Sequence, residues 1–153
     1  MKAAYWEKIS AHYDDLIFDV LAADRKQKIL SLVRHFGSKR KVAADFGCGA
    51  GRFIPMLCEN FRQVFALDLA ENNIKSVSKQ FNSLNNLHAF PCDLSKTLPK
   101  GVLKTLCDHG RNHVQYDFIL SVNVIIMPDL LIRRALFKQI KQCLKSDGIC
   151  VMV

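Results

Sequence analysis

The chain has 153 residues, 50% apolar and 24% charged, enough for one domain that buries a core without disulfide or metal staples. Its longest apolar run, 149–153, is too short for a bilayer, and residues 1–8 lack the apolar stretch of a secretory signal, so a cytoplasmic protein without membrane contact is expected. The net charge of +8 favours an anionic partner, a nucleotide, a nucleic acid or a small molecule, but nucleic acid is only weakly supported, since the positive residues are scattered and no aromatic-studded basic face stands out. The densest cluster, Lys39-Arg40-Lys41, reads as a solvated turn.

In chain order, residues 5–21 are amphipathic and read as helix, broken near Asp14-Asp15. A second helix is expected to start at Asp24, capped by that carboxylate with Gln27 reaching back. Ile29, Leu32, Val33 and Phe36 form its apolar stripe, and Gly37 ends it. Five short apolar runs follow, at 42–46, 64–67, 87–90, 118–122 and 149–153, and read as buried parallel strands. Between them lie helices near 52–59, 71–81, 102–107 and 130–144, while 145–148 reads as a turn into the fifth strand. This alternation predicts an α/β fold, a three-layer sandwich with a mainly parallel sheet. Residues 1–36 are expected to be helices covering a ligand site built by 37–153, all within one structural domain.

The six cysteines, Cys48, Cys58, Cys92, Cys107, Cys143 and Cys150, include no C-x-x-C pair and are expected to be reduced and mostly buried, with no metal bound. His109 and His113 stand four apart in Cys107-Asp108-His109-Gly110-Arg111-Asn112-His113, but the glycine and asparagine make that stretch an exposed polar loop.

The strongest local signal is Ala44-Asp45-Phe46-Gly47-Cys48-Gly49-Ala50-Gly51-Arg52, a buried strand running into alternating glycines and then a helix. Such a turn brings ligand to main chain and to a helix N-terminus. A dinucleotide site wants G-x-G-x-x-G; Arg52 occupies its third-glycine position, which argues against a nicotinamide-dependent oxidoreductase. Asp68 ends the second strand about 20 residues past the first glycine, where a carboxylate can accept from both hydroxyls of a ribose. After the third strand, Asp93 is placed to accept from an adenine amino group, with the backbone N–H of Cys92 offered to the ring.

These residues resemble the class I S-adenosylmethionine-dependent methyltransferases, a Rossmann-like family with a seven-stranded sheet. The resemblance covers nearly the whole chain and implies S-adenosylmethionine as cofactor. It implies main-chain contacts from Asp45, Gly47, Cys48, Gly49 and Gly51 to the methionine part, a ribose role for Asp68, and adenine contacts from Leu69, Cys92 and Asp93. Tyr13-Asp14 resembles an N-terminal pair that closes over the cofactor, 116–123 resembles the fourth motif, and 144–148 resembles the loop before strand five. Ala70 stands where the family often has a helix-capping Ser. The family continues through a helix and a β-hairpin beyond the fifth strand, where this sequence stops, so a fragment, a shortened product or a partner-completed domain is expected.

Methyl transfer is an in-line displacement at a carbon the cofactor already activates, so no obligatory catalytic residue should stand out. Ser121 and Asn123, after strand four, are the candidates to bind or orient the acceptor, with Ser121 also near the cofactor and Asp129 farther on. The Asn/Asp-Pro-Pro-aromatic tetrapeptide of many base methylases is missing there. Trp6, Phe18 and 125–127 suggest an apolar element in an otherwise unidentified acceptor, anionic if the net charge guides it. The alternative is a non-catalytic or truncated S-adenosylmethionine-binding domain.

Overall fold

The computed structural model describes residues 3–10, 19–106, 115–124 and 129–153. Strands β1 (Ser38–Phe46), β2 (Phe61–Asp68), β3 (Leu87–Pro91), β4 (Tyr116–Ser121) and β5 (Leu144–Met152) form one parallel sheet in the order β3-β2-β1-β4-β5. The described helices are α1 (Ala3–Ser10), α2 (Val20–Ala23), α3 (Lys28–Phe36), α4 (Ile54–Asn60), α5 (Glu71–Gln80), α6 (Lys100–Leu106) and α7 (Leu130–Cys143).

Side chains alternate across the sheet, so each strand feeds two cores. Ala43, Val64, Ala66, Phe118 and Leu120 face one way, against Ile29 and Val33 of α3, Ile54 and Leu57 of α4, and Ile74 and Val77 of α5. Ala44, Phe46, Phe65, Leu67 and Ile119 face the other, against Val102 of α6 and Leu136, Ile140 and Cys143 of α7. Strands buried on both faces are continuously apolar, which is why these runs carry no period-two signal. The result is the expected three-layer sandwich.

Several boundaries differ for local reasons. Helix α3 begins at Lys28 and not at Asp24; Gln27 is its N-cap residue, in the left-handed region at φ 50° and without a side-chain cap bond. The Asp24 carboxylate nevertheless caps the helix from a preceding turn, accepting from the N–H groups of Lys28 at 2.9 Å and Ile29 at 2.8 Å. Asp24→Ala is therefore expected to lower stability by about 1 kcal/mol in urea unfolding, as loss of a cap does. Gly37 does end α3, but in extended conformation: a Cβ there would lie 2.6 Å from the Val33 carbonyl oxygen.

Lys39-Arg40-Lys41 starts β1 and is no solvated turn. The Lys39 ammonium donates to the Cys58 carbonyl at 3.0 Å and that of Lys41 to the Phe36 carbonyl at 2.8 Å, so both neutralise helix C-termini. Residues 145–148 likewise lie inside β5. Tyr116 pairs with Leu144 and Phe118 with Ile149, so a step of two in β4 meets a step of five in β5. Asp117 spans this bulge, accepting from Lys145 Nζ at 2.6 Å and from the Val42 N–H at 2.8 Å. Cys48, Cys58, Cys92 and Cys143 are buried free thiols, and Cys150 is half-buried. Cys107 and the His109–His113 stretch lie outside the described residues. Among the described residues no helix is long and apolar enough to cross a membrane.

Candidate functional site

Strand order reverses beside β1, whose neighbours are β2 and β4, so the loops leaving β1 and β4 diverge and open a crevice at the carboxyl ends of the strands. The glycine loop fills one side of it. Gly47, Gly49 and Gly51 have φ of 77°, 52° and 80°, a region that costs other L-residues about 1–2 kcal/mol. The N–H groups of Gly47 (2.7 Å) and Cys48 (3.1 Å) both donate to the Leu67 carbonyl, which pins the loop over the end of β2. A Cβ on Gly47 would sit 2.3 Å from Val124 Cγ2, and one on Gly51 2.8 Å from Phe81. Close packing on α5 thus falls to Gly51. Gly47→Ala combines backbone strain with a clash and should cost at least about 2 kcal/mol, read as a lowered Tm. Arg52 follows the loop outside α4 and is paired with the Asp19 carboxylate.

Two acids share the same sheet face. Asp45 pairs with Ala66 in register, and Asp68 lies two residues beyond Ala66. Asp45 is 1% exposed and its Oδ2 has no hydrogen-bond partner. Burial, and then the charge of Asp68, push its carboxyl up to about 7. Asp68 accepts at Oδ2 from the Gly49 N–H (2.8 Å) and at Oδ1 from the Ala70 N–H (2.8 Å) and Asn73 Nδ2 (3.2 Å). Burial raises its pKa against these bonds, with Glu7 adding a further upward push. Asn73, on the first turn of α5, carries no sequence signal beyond its spacing of five from Asp68.

Two adjoining clefts share Val124. One, of about 400 Å³, is lined by Trp6, Gly47, Asp68, Asn73, Val122, Asn123 and Val124. The other, of about 440 Å³, has Leu69, Cys92, Asp93 and Ser95 on one wall and Ile132 and Leu136 on the other. The structure therefore brings Gly47, Asp68, Leu69, Cys92, Asp93 and Asn123 to one connected region, with Asp45 buried beneath it. Asn123 takes φ 58°, a conformation asparagine tolerates better than most residues, and its N–H donates to the Val153 carbonyl at 2.9 Å.

Three expectations change. The Cys92 N–H is not available to a ring, because it donates to the Asp68 carbonyl at 2.7 Å. Ser121 is 0% exposed and lines neither cleft. Since Leu120 pairs with Asp45, alternation turns Ser121 to the opposite face of the sheet from the two acids. Asp129 is the N-cap of α7, accepting from the N–H groups of Leu131 at 2.8 Å and Ile132 at 3.3 Å. An Asp directly before an apolar-periodic run was the available signal. Asp93 stands at the cleft wall, already accepting from Ser95 Oγ at 2.6 Å and paired with Lys96 at 3.0 Å. Burial opposes its ionisation, but the bonds from Ser95 and Lys96 outweigh that and hold its pKa below the ordinary value. Tyr13, Phe18 and 125–127 lie outside the described residues.

A family model described as "Methyltransferase domain" matches residues 44–150. No curated protein sequence matches the chain. Among solved structures, the S-adenosylhomocysteine complex of DhpI is similar at 16% identity and TM-score 0.73, over 98% of this chain and 65% of that one. N-methyltransferase NodS from Bradyrhizobium japonicum WM9, in complex with S-adenosylhomocysteine, is similar at 12% identity and TM-score 0.67, over 96% of this chain and 71% of that one. A TehB-like S-adenosylmethionine-dependent methyltransferase from Corynebacterium glutamicum ATCC 13032 Kitasato is similar at 20% identity and TM-score 0.66, over 99% of this chain and 73% of that one. The chain spans less than two thirds of the length of the DhpI chains it matches. With that domain matched over residues 44–150, the chain belongs to the methyltransferase-domain family, and it shares the Rossmann-like fold of the methyltransferase structures it is similar to.

Proposed function

We propose that the chain binds S-adenosylmethionine in the crevice above β1, β2 and β4 and passes its methyl group to an acceptor. The observation that carries this reading is Asp68, a buried carboxylate fixed by three donors at the rim of a cleft that Gly47 of the glycine loop also lines. With its protein bonds made, a carboxylate still has acceptor capacity for ribose hydroxyls. The partnerless buried oxygen of Asp45 is a second mark of fit, because a cationic ligand group near the loop would let that carboxyl ionise. Main chain at Gly47–Gly51 then borders the methionine part, and Leu69 and Asp93 border the base.

When bound, the cofactor supplies a methyl group on positively charged sulfur. The chain's own task is orientation and exclusion of water. Asn123, held in its left-handed conformation at the end of β4, is the described side chain best placed to orient an acceptor. Arg52 at the third-glycine position argues against a dinucleotide. In thermal unfolding, saturating S-adenosylhomocysteine should raise Tm by about 5 °C or more, while NADH leaves it unchanged. A shift with NADH alone would sink the reading.

A further inference from the structure

Helix α5 begins directly after Asp68 and Ala70, and Ala70 has the extended conformation of an N-cap but no side chain that can cap. Its free N–H groups are met from 64 residues away. Glu7 of α1 accepts from the Glu71 N–H at 2.6 Å and from the Asn72 N–H at 3.4 Å. The next residue of α5, Asn73, donates to Asp68, and the neighbour of Glu7 on α1, Trp6, lines the cleft beside Asp68. One carboxylate therefore satisfies the helix that orients the ribose-facing acid and seats the helix that walls the same cleft.

We propose that Glu7 is a positioning residue: by capping α5 in place of the side chain Ala70 lacks, it docks α1 as a wall of the cofactor cleft and couples that docking to cofactor binding. This rests on the cofactor reading above. A local cap, as a Ser at position 70 would provide, stabilises α5 whether or not α1 is in place. A cap delivered from α1 makes the two inseparable, so a ligand that prefers the walled cleft also tightens the α1–α5 contact. Asp68 feels the same carboxylate, since Glu7 contributes to its raised pKa.

Trp6 is the only tryptophan of the chain, so its emission reports α1 docking directly. The test compares wild type, Glu7→Ala, Ala70→Ser and the double variant by thermal unfolding, Trp6 emission and titration with S-adenosylhomocysteine. Glu7→Ala is expected to red-shift Trp6, lower Tm and weaken S-adenosylhomocysteine about tenfold, the scale of a lost cap. In the double variant the new Ser cap should restore Tm while emission stays red-shifted and affinity stays weak. Recovery of affinity together with Tm would reduce Glu7 to a helix cap and overturn the proposal, as would a Glu7→Ala variant with wild-type emission and affinity. If wild type itself fails to bind S-adenosylhomocysteine, the cofactor reading is what fails. Ligand-free emission then decides docking: a red shift in Glu7→Ala supports it and an unchanged spectrum overturns it.

Discussion

Asp68→Ala should abolish measurable S-adenosylhomocysteine binding, with a loss of at least about 100-fold, while the protein stays folded. The carboxylate is asked to hold two ribose hydroxyls, and hydrogen bonds to a charged group contribute about 1.5–3 kcal/mol each, so losing both accounts for that factor. The variant also strands the donors of Gly49, Ala70 and Asn73, which loosens the glycine loop and the start of α5 together. Against that, removing a carboxyl whose ionisation burial opposes relieves part of the cost, so the fall in Tm should be modest beside the fall in affinity. Calorimetric titration with circular dichroism separates the two. Binding within about threefold of wild type would show that Asp68 is a structural clasp of the loop and no ligand group.

Asp45→Asn should have the opposite balance, a more stable protein that binds worse. In the unfolded chain this carboxyl ionises near its ordinary value of 3.8, whereas in the fold burial and then the Asp68 charge push it up to about 7. The folded state therefore holds a proton that the unfolded state has lost throughout that window. Stability from this group is greatest below the unfolded value, falls as pH rises towards 7, and is flat above it. The integrated loss is about 4 kcal/mol between pH 4 and pH 8. Asparagine does not titrate, so the urea-unfolding difference between variant and wild type should widen from pH 4 to pH 7 in favour of the variant. An equal difference at pH 5 and pH 8 would mean that Asp45 is not protonated in the fold. A ligand cation beside Asp45 would ionise it, so S-adenosylhomocysteine affinity should rise with pH up to about 7 in wild type and lose that dependence in Asp45→Asn.

What could be read from the sequence was local. The two-sided strands, the alternating glycines and Asp68 are specified by residues within a few positions of one another, and the structure places the strands in one sheet with the glycine loop beside Asp68. The misplaced features depend on distant partners. Nothing near Ala70 announces that Glu7 caps the helix after it. The bulge in β5 is spanned by the bond from Lys145 to Asp117 of β4, and the Cys92 amide is taken by the last residue of β2. Gln27 shows the same limit at short range: the Asp24-to-Gln27 spacing of a capping box is present, but the chain turns through a left-handed residue, and Asp24 caps from farther back. Ser121 departs from expectation for a geometric reason: a one-residue change of position along β4 changes the face of the sheet.

Cofactor binding is tested most simply by calorimetric titration of the wild-type chain with S-adenosylhomocysteine at pH 8. Saturable binding at one site per chain is expected, with no heat from NADH under the same conditions. Absence of binding at millimolar ligand, from a protein that unfolds cooperatively, would contradict it and leave the glycine loop as a structural turn.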